Sequence, residues 1–126
     1  MKRSAEGRSR HFRNFLVIAE QWSLTKEEQR KLLNVRSAKV MKAFAESDHH
    51  MPEEVWTRIV YCIDIYNALH CHLFSRDHTR ANTWIRRPNS APFLRIHNHK
   101  TALEAMLSGD IRDLRDVRNY LIHQCQ

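Results

Sequence analysis

"MPEEVWTRIVYCIDIYNALHCHLF", residues 51–74, is the stretch that decides the fold. Its apolar residues recur three and four positions apart, as on one face of an α-helix, at Val55, Ile59, Cys62, Tyr66, Leu69 and Leu73. Trp56 adds to this apolar stripe and makes it wider than a single row of residues. Pro52 suits the first helical position, and Glu53 and Glu54 suit the first turn. The stretch predicts one long central helix that other elements contact on two or three sides.

The composition of the 126-residue chain also favours helices. The chain contains only two glycines and three prolines, whereas a sandwich or barrel with many tight turns needs more of both. Hydrophobic residues make up 42% and charged residues 28%, which allows a packed core. We therefore expect an all-α fold. The formal net charge of +7 attracts polyanions but does not determine the fold.

A helix, a short turn and a second helix are predicted before the central helix. In "SLTKEEQRKLLNV", Ser23 or Thr25 can cap the first of these helices, and Asn34 suits the left-handed residue that ends it. Ser37 can cap the second, "AKVMKAFAE", whose predicted buried residues are Val40, Met41 and Phe44. This unit is typical of a DNA-binding helix-turn-helix, with candidate DNA contacts at Arg36, Ser37, Lys39 and Lys42. The pattern is equally consistent with an ordinary helical hairpin whose basic face is exposed to solvent.

The amino-terminal residues divide into a tail and a helix. Residues 1–10 are small and basic, and we expect a flexible tail there. Apolar residues three and four apart predict a helix over residues 11–22. We expect no signal peptide and no membrane-spanning segment, because the first apolar patch is short and no run approaches the length that a bilayer requires. These features predict a cytoplasmic protein.

The carboxyl-terminal half is predicted to contain three further helices. "HTRANTWI" reads as a short helix that ends before Pro88, and "TALEAMLSGD" as one or two turns that stop at Gly109. Residues 90–101 are expected to form a short extended piece or a loop. The last helix carries one apolar face, made of Ile111, Leu114, Val117 and Leu121.

Aspartates and arginines alternate along this last helix, at Asp110, Arg112, Asp113, Arg115, Asp116 and Arg118. Pairs of opposite charge three or four residues apart stabilise an exposed helix weakly, and the spacing favours this interpretation. The alternative is that the three arginines form a row that contacts an acidic partner.

The residues that carry chemistry are not arranged as an active site. His70 and His72 are two apart on a helix and point in nearly opposite directions, and His97 and His99 have no cysteine or carboxylate cluster close in sequence. Cys71 stands between two histidines, but sequence adjacency does not activate a thiol. We therefore expect no enzyme activity, no metal site and no cofactor.

Four segments occur in an order that resembles a known family. They are "LTKEEQRKLL", "RIVYCIDIYNALHCHLF", "ANTWIRRPNSAPF" and "ALEAMLSGDIRDLRDVRNYL". Over residues 22–122 the chain resembles the Xre/MbcA/ParS antitoxins, in which a helix-turn-helix region precedes a toxin-binding domain. The resemblance implies a helix-turn-helix-like region at 11–47 and a toxin-binding domain at 48–126, built around the long central helix.

The resemblance also implies a function and partners. Such antitoxins neutralise RES-domain toxins, which degrade NAD or use it to ADP-ribosylate a target, by binding them and blocking the NAD pocket with their carboxyl-terminal end. They form hetero-oligomers with the toxin, and we expect a homodimer or a higher assembly of this kind. Many also repress their own promoter through the helix-turn-helix. The alternative is a DNA-binding repressor whose carboxyl-terminal half only dimerises.

Individual residues match the family pattern. Trp84, Pro88 and Asn89 match its tryptophan and Pro-Asn junction, where Trp84 is expected to fill the core at a helix end and the Pro-Asn pair to set the turn. Gly109 matches the stop of the following helix. The residues expected at the toxin are Arg112, Arg115, Arg118, His123, Gln124, Cys125 and Gln126. The chain departs from the family in lacking a glycine after the Pro-Asn pair and in having Ala102 where proline is common.

Overall fold

The computed structural model describes residues 5–46 and 51–126, with side chains from residue 7 onward. Within these ranges the regular elements are helices, and a single isolated bridge pairs Pro88 with Thr101. The elements are α1 (Ala5–Gln21), α2 (Lys26–Leu33), α3 (Ala38–Glu46), α4 (Glu53–Asn67), a π-helix (Ala68–Leu73), α5 (His78–Thr83), a 3-10 helix (Trp84–Arg86), α6 (Pro92–Ile96), α7 (Ala102–Met106) and α8 (Ile111–Gln124). The predicted all-α fold is confirmed.

The chain divides into two compact units, Met1–Ile63 and Asp64–Gln126. The division falls inside α4, so this helix contributes residues to both units. The boundary predicted between residues 47 and 48 lies outside the described residues and stays a prediction. In the described part of the chain, no helix combines the length and the apolar character needed to cross a membrane.

The first helix begins earlier than the sequence predicts. Helix α1 starts at Ala5, so residues 5–10, which were assigned to a tail, are helical, while residues 1–4 lie outside the described part. Contacts distant in sequence explain the extension. Arg8 donates from Nη1 to the Met51 carbonyl at 2.8 Å and from Nη2 to Glu53 Oε2 at 2.7 Å. Such contacts cannot be predicted from composition, and they hold this basic segment in a helix.

Aromatic packing joins α1 to α3 in the first unit. The Phe12 ring meets the Phe44 ring edge to face, with centroids 5.8 Å apart. Phe44 and Met41 are buried as predicted, but Val40 is 43% exposed, so that part of the prediction is wrong. Successive helical residues point about 100° apart, and the inward direction of α3 passes through Met41 and Phe44.

The turn between α2 and α3 forms as predicted. Thr25 Oγ1 accepts a hydrogen bond from the Glu28 amide at 3.0 Å, and Glu28 Oε1 accepts one from the Thr25 amide at 2.9 Å, which completes a capping box. Asn34 ends α2 in the left-handed conformation, with φ 56° and ψ 44°. Ser37 Oγ accepts from the Val40 amide at 3.3 Å and caps α3.

Substitution of Asn34 tests this left-handed turn. We expect Asn34→Ala to lower the free energy of unfolding by about 1 kcal/mol, because a left-handed backbone brings Cβ close to the following carbonyl oxygen. Asn34→Gly should stay within about 0.5 kcal/mol of the parent, because glycine has no Cβ. Urea denaturation of the three proteins measures the difference. An alanine variant at least as stable as the glycine variant would contradict this explanation.

The central helix is not an α-helix throughout. Pro52 lies just outside α4, because its carbonyl accepts the first helical hydrogen bond, from Trp56 N at 3.1 Å. After Asn67 the backbone widens into the π-helix, in which Phe74 N donates to Leu69 O at 2.9 Å. A π-turn contains one residue more than an α-turn and rotates the faces that follow it. As a result His70 is buried, while Leu73, predicted to face inward, is partly exposed.

Arg58, on α4, is buried, which its charged side chain does not predict. The side chain of Arg58 is 1% exposed. Its Nη1 donates to the Leu32 carbonyl at the end of α2, at 3.4 Å, and its Nη2 lies 3.8 Å from Glu54 Oε1. One turn away, Cys62 is fully buried, and this burial raises the pKa of its thiol, an effect that the nearby Arg58 opposes. Arg58 therefore ties α2 to α4 within the first unit.

The second unit contains a helix that the sequence analysis missed. Residues 92–96 form α6, with Pro92 at its amino end and Leu94 fully buried, where a loop or extended piece was expected. Five residues are too few for a helical period to show in the sequence. Helix α7 ends at Met106, three residues before the predicted stop at Gly109, which has φ 90°. The apolar face of α8 is buried at Leu114, Val117 and Leu121, and Ile111 is partly exposed.

Candidate functional site

The outer face of α8 carries two of the predicted partner-binding arginines. Asp110 caps the helix, accepting from the Arg112 amide at 2.9 Å. The Arg112 guanidinium contacts the same carboxylate, with Nε 3.1 Å from Oδ1 and Nη2 2.9 Å from Oδ2. These hydrogen bonds from Arg112 hold the pKa of Asp110 at about 2. Asp116 is four residues beyond Arg112, yet Arg112 binds Asp110, so the predicted pairing along the helix is wrong for this residue.

Arg115 and Arg118 differ in how firmly they are held. Arg118 is one-third exposed, and its Nε donates to Asp64 Oδ2 on α4 at 2.8 Å. Its Nη1 also donates to Asn119 Oδ1 at 2.8 Å. Arg115 is more exposed, and its Nη2 lies 4.0 Å from Asp116 Oδ1, at the limit of an ion pair. Arg118 therefore anchors α8, whereas Arg115 leaves its guanidinium available to a partner.

Asp113 is a buried anchor rather than a member of a solvated face. It is 8% exposed and accepts a hydrogen bond from Ser108 Oγ at 2.7 Å. His99 Nε2 lies 3.4 Å from Asp113 Oδ2, and His97 Nε2 lies 3.9 Å from Oδ1. This carboxylate thus joins the start of α8 to residues 97–99. Its sequence spacing gives no sign of this role, since it is the same as that of Asp110 and Asp116, which are less buried.

His97 and His99 are therefore part of this anchor. Their ring centroids are 6.3 Å apart. Across the described ranges, no group of three or more histidine, cysteine, aspartate or glutamate side chains has an arrangement that could hold a metal ion.

The Pro-Asn junction closes the segment that contains α6. The Asn89 amide donates to the Lys100 carbonyl at 2.9 Å, and Pro88 bridges to Thr101. Asn89 Oδ1 accepts from the Ala91 amide at 2.9 Å, which forms the turn into α6. The pair therefore fixes both ends of a closed segment of about a dozen residues.

Trp84 has a different position from the one predicted. It is only partly buried, and the next residue, Ile85, is the one that is fully buried at this helix end. The Trp84 ring lies nearly parallel to the Tyr120 ring on α8, with centroids 6.4 Å apart. Tyr120 in turn contacts Phe93 on α6, at 5.2 Å between centroids. Trp84, Phe93 and Tyr120 form a row of aromatic rings at the surface, which we call the aromatic row.

An open cleft of about 530 Å³ runs beside the aromatic row, between α6 and α8. It is lined by Pro92, Phe93, Asp116, Asn119, Tyr120 and His123. Of the predicted toxin-binding residues at the carboxyl end, His123 and Gln124 form the last exposed residues of α8. Cys125 is partly buried, with its thiol 3.9 Å from the Ala68 carbonyl, and Gln126 is exposed. The cleft and the exposed end of α8 thus meet at His123.

A histidine pair lies where the π-helix meets α5. His70 Nδ1 is 3.0 Å from His78 Nδ1, and His70 Nε2 is 2.7 Å from Asn82 Oδ1. The Tyr66 ring stacks on His70 at 4.1 Å. An amide oxygen only accepts, so Nε2 carries the proton and Nδ1 of His70 accepts from His78. His72 is exposed, so the two histidines point apart as predicted.

This arrangement keeps His70 neutral. Its burial lowers the pKa of His70, the charge of a protonated His78 lowers it further, and the Asn82 hydrogen bond opposes the shift. The unfolded ring takes up a proton near its ordinary pKa of about 6.5, whereas the folded ring does so only at lower pH. The stability contributed by neutral His70 is therefore complete above about pH 6.5 and is lost as the pH falls below it.

The pH dependence of unfolding tests the histidine pair. We expect the free energy of unfolding to fall between pH 7.5 and pH 5.5, and we expect His70→Gln to reduce this fall, because glutamine does not titrate. His72→Gln is the matched control, since His72 lies two residues away and is exposed. Urea denaturation at each pH measures the slope. Equal slopes for both variants would show that His70 does not cause the dependence.

The predicted DNA-binding residues lie together in the first unit. Arg36 is exposed in the connection between α2 and α3, and Lys39 is exposed near the start of α3. Lys42, one turn further along α3, is exposed and lies 3.8 Å from Glu46. The Ser37 hydroxyl is already used as the cap of α3. The three cations are thus available at the surface, whereas Ser37 has a structural task.

Comparison with known proteins places this two-unit helical chain in a family. No family model matches it. The chain is 32% identical over 107 residues to a protein of Sinorhizobium fredii (strain NBRC 101917 / NGR234) named "Uncharacterized protein y4oB". The similarity covers 85% of this chain and 78% of y4oB. The chain belongs to the family of y4oB.

Proposed function

We propose that this chain is the antitoxin of a type II toxin–antitoxin module. In this proposal it binds a RES-domain toxin that acts on NAD, blocks the toxin's NAD pocket with its carboxyl-terminal region, and works in the cytoplasm. The order of the four segments over residues 22–122, which resembles the Xre/MbcA/ParS antitoxins, carries the proposal. The chain acts as a binding protein, without a catalytic centre, a metal or a cofactor of its own.

The surface of the second unit supports a role in protein binding. Phe93 and Tyr120 of the aromatic row line one cleft, and the exposed arginines Arg112 and Arg115 lie on α8, the helix that forms one of its walls. Aromatic residues and arginine are the residue types enriched at protein interfaces and at the contacts that contribute most to affinity. His123, at the end of α8, lines the cleft and is followed by the exposed Gln124. A toxin that covers the cleft would therefore also meet the carboxyl-terminal residues.

The three arginines of α8 have different roles in this proposal. Arg118 is held by Asp64 and positions the helix. Arg112 stabilises the cap at Asp110. Arg115, whose nearest carboxylate oxygen is 4.0 Å away, is the arginine that we assign to direct contact with the toxin.

Toxin neutralisation can be measured directly. We expect NAD consumption by the RES-domain protein encoded beside this chain to stop when the chain is added at equal concentration without DNA. Arg115→Ala should weaken the complex about tenfold, as removal of a strong interface contact does. Removal of residues 123–126 should restore NAD consumption, since these residues block the pocket. Calorimetry gives the dissociation constants.

Arg76→Ala is the matched control for Arg115→Ala. Arg76 is exposed in the connection between the π-helix and α5 and is not part of α8. It should leave both affinity and neutralisation unchanged. Unaltered NAD consumption in the presence of the parent chain would contradict the antitoxin proposal. Equal losses from the Arg76 and Arg115 variants would contradict the assigned interface alone.

DNA binding is the second candidate function, either as autorepression beside neutralisation or as the chain's principal role in a repressor. It is supported by the short connection of α2 to α3 through Asn34 and by the exposed cations Arg36, Lys39 and Lys42. Lysines bind phosphates better than they read base edges. We therefore propose DNA contacts that are largely to the backbone.

Salt dependence tests the DNA-binding candidate. We expect the affinity for the promoter duplex to fall steeply between 50 and 200 mM salt, because bound cations release counterions from the phosphates. Lys39→Ala should reduce the slope of log affinity against log salt by about 1, the effect of losing one phosphate contact. Lys31→Ala, an exposed change on α2, is the control. Fluorescence anisotropy measures both. No binding at 50 mM salt would remove this candidate.

A further inference from the structure

A groove of about 370 Å³ opens between α1, α2 and α3 in the first unit. Its floor is formed by Phe12, Leu16 and Met41. Two alanines on α3, Ala38 and Ala45, line its side and leave the space that a larger residue would fill. These positions are spaced as one face of each helix, four apart on α1 and seven apart on α3. The groove is therefore a continuous feature of three packed helices.

The floor of the groove is firmly built. Phe12 is 1% exposed and contacts Phe44 edge to face at 5.8 Å. Met41 is 8% exposed. Arg13 Nη1 donates to the Ala45 carbonyl at 3.4 Å and links α1 to the far end of α3. A ligand would thus meet a surface that is already fixed.

The rim of the groove is cationic. Lys26, Arg30 and Lys42 line it, and no carboxylate does so among the described residues. Lys42 has one carboxylate nearby, Glu46 at 3.8 Å, but both side chains are largely exposed and such a pair is weak. Lys26 and Arg30 form no ion pair within the described ranges. The three charges therefore remain available to an anion.

Two further features of the rim favour an anion. Arg30 is partly buried, so its charge is less screened by water than that of an exposed arginine. Lys26 is the first residue of α2, where the helix dipole is unfavourable for a cation. A bound anionic group would reduce both costs.

We propose that this groove binds a small amphiphilic anion, a medium-chain alkyl carboxylate. The alkyl chain lies on Phe12, Leu16 and Met41, and the carboxylate meets Arg30 and Lys42. The volume falls within the range of about 300–1,000 Å³ that is usual for small-ligand sites, and an apolar surface with a few charged groups is their usual composition. A nucleic acid backbone would use the cations but would leave the apolar floor uncovered.

Calorimetric titration of the full chain with three probes tests the site. Decanoate, kept below the concentration at which it forms micelles, is expected to bind. Butyrate is expected not to bind, because its chain covers little of the floor. Decyltrimethylammonium, with the same chain and the opposite charge, is expected not to bind, because the rim repels it.

Variants of the groove localise the binding. Arg30→Gln should weaken decanoate binding about tenfold, because a hydrogen bond to a charged group is lost. Ala45→Leu should abolish it by filling the groove, and Lys31→Gln, an exposed change on α2, should leave it unchanged. Far-ultraviolet circular dichroism checks that each variant is folded. The proposal is overturned if decanoate gives no heat, if decyltrimethylammonium binds equally well, or if the folded Arg30 variant binds decanoate like the parent.

Discussion

The buried carboxylate of Asp113 is the constraint on which the surface of the second unit depends. A carboxylate removed from water must find hydrogen-bond donors, because leaving it without them costs several kcal/mol. Asp113 bonds the Ser108 hydroxyl in the turn before α8 and the His99 imidazole in the segment after α6, where His97 also lies 3.9 Å from it. One group therefore fixes three pieces of chain. The position of Phe93 beside Tyr120 follows from this, since α6 is held between Asn89 at one end and Asp113 at the other.

The two units present surfaces of different chemistry. The first offers cations around an apolar groove, and Lys42 belongs both to that groove and to the residues predicted to contact DNA. An anion bound in the groove would therefore compete with a phosphate for the same lysine. The second unit offers aromatic rings and an arginine with a loosely held charge, which suit a protein partner better than a nucleic acid.

The sequence predicted what local interactions determine and missed what distant contacts determine. The cap at Thr25 and the left-handed Asn34 were predicted correctly, because each depends on residues within one turn of itself. The apolar face of α8 was also read correctly from its period. The burial of Arg58 and Asp113 was not predicted, since Leu32 and His99, which contact them, are brought close only by the fold. Helix α6 was missed because it is too short to show a period.

The π-helix has a consequence for how this family can vary in length. An α-helix that accepts one extra residue without breaking must bulge, and Ala68–Leu73 is such a bulge. A relative with one residue fewer in this place could keep a regular helix and all the inward contacts before Asn67. The residue that corresponds to His70 would then point in another direction, and the hydrogen bond between His70 and Asn82 would be lost. The bulge is thus where His70 lies buried and bonded to Asn82.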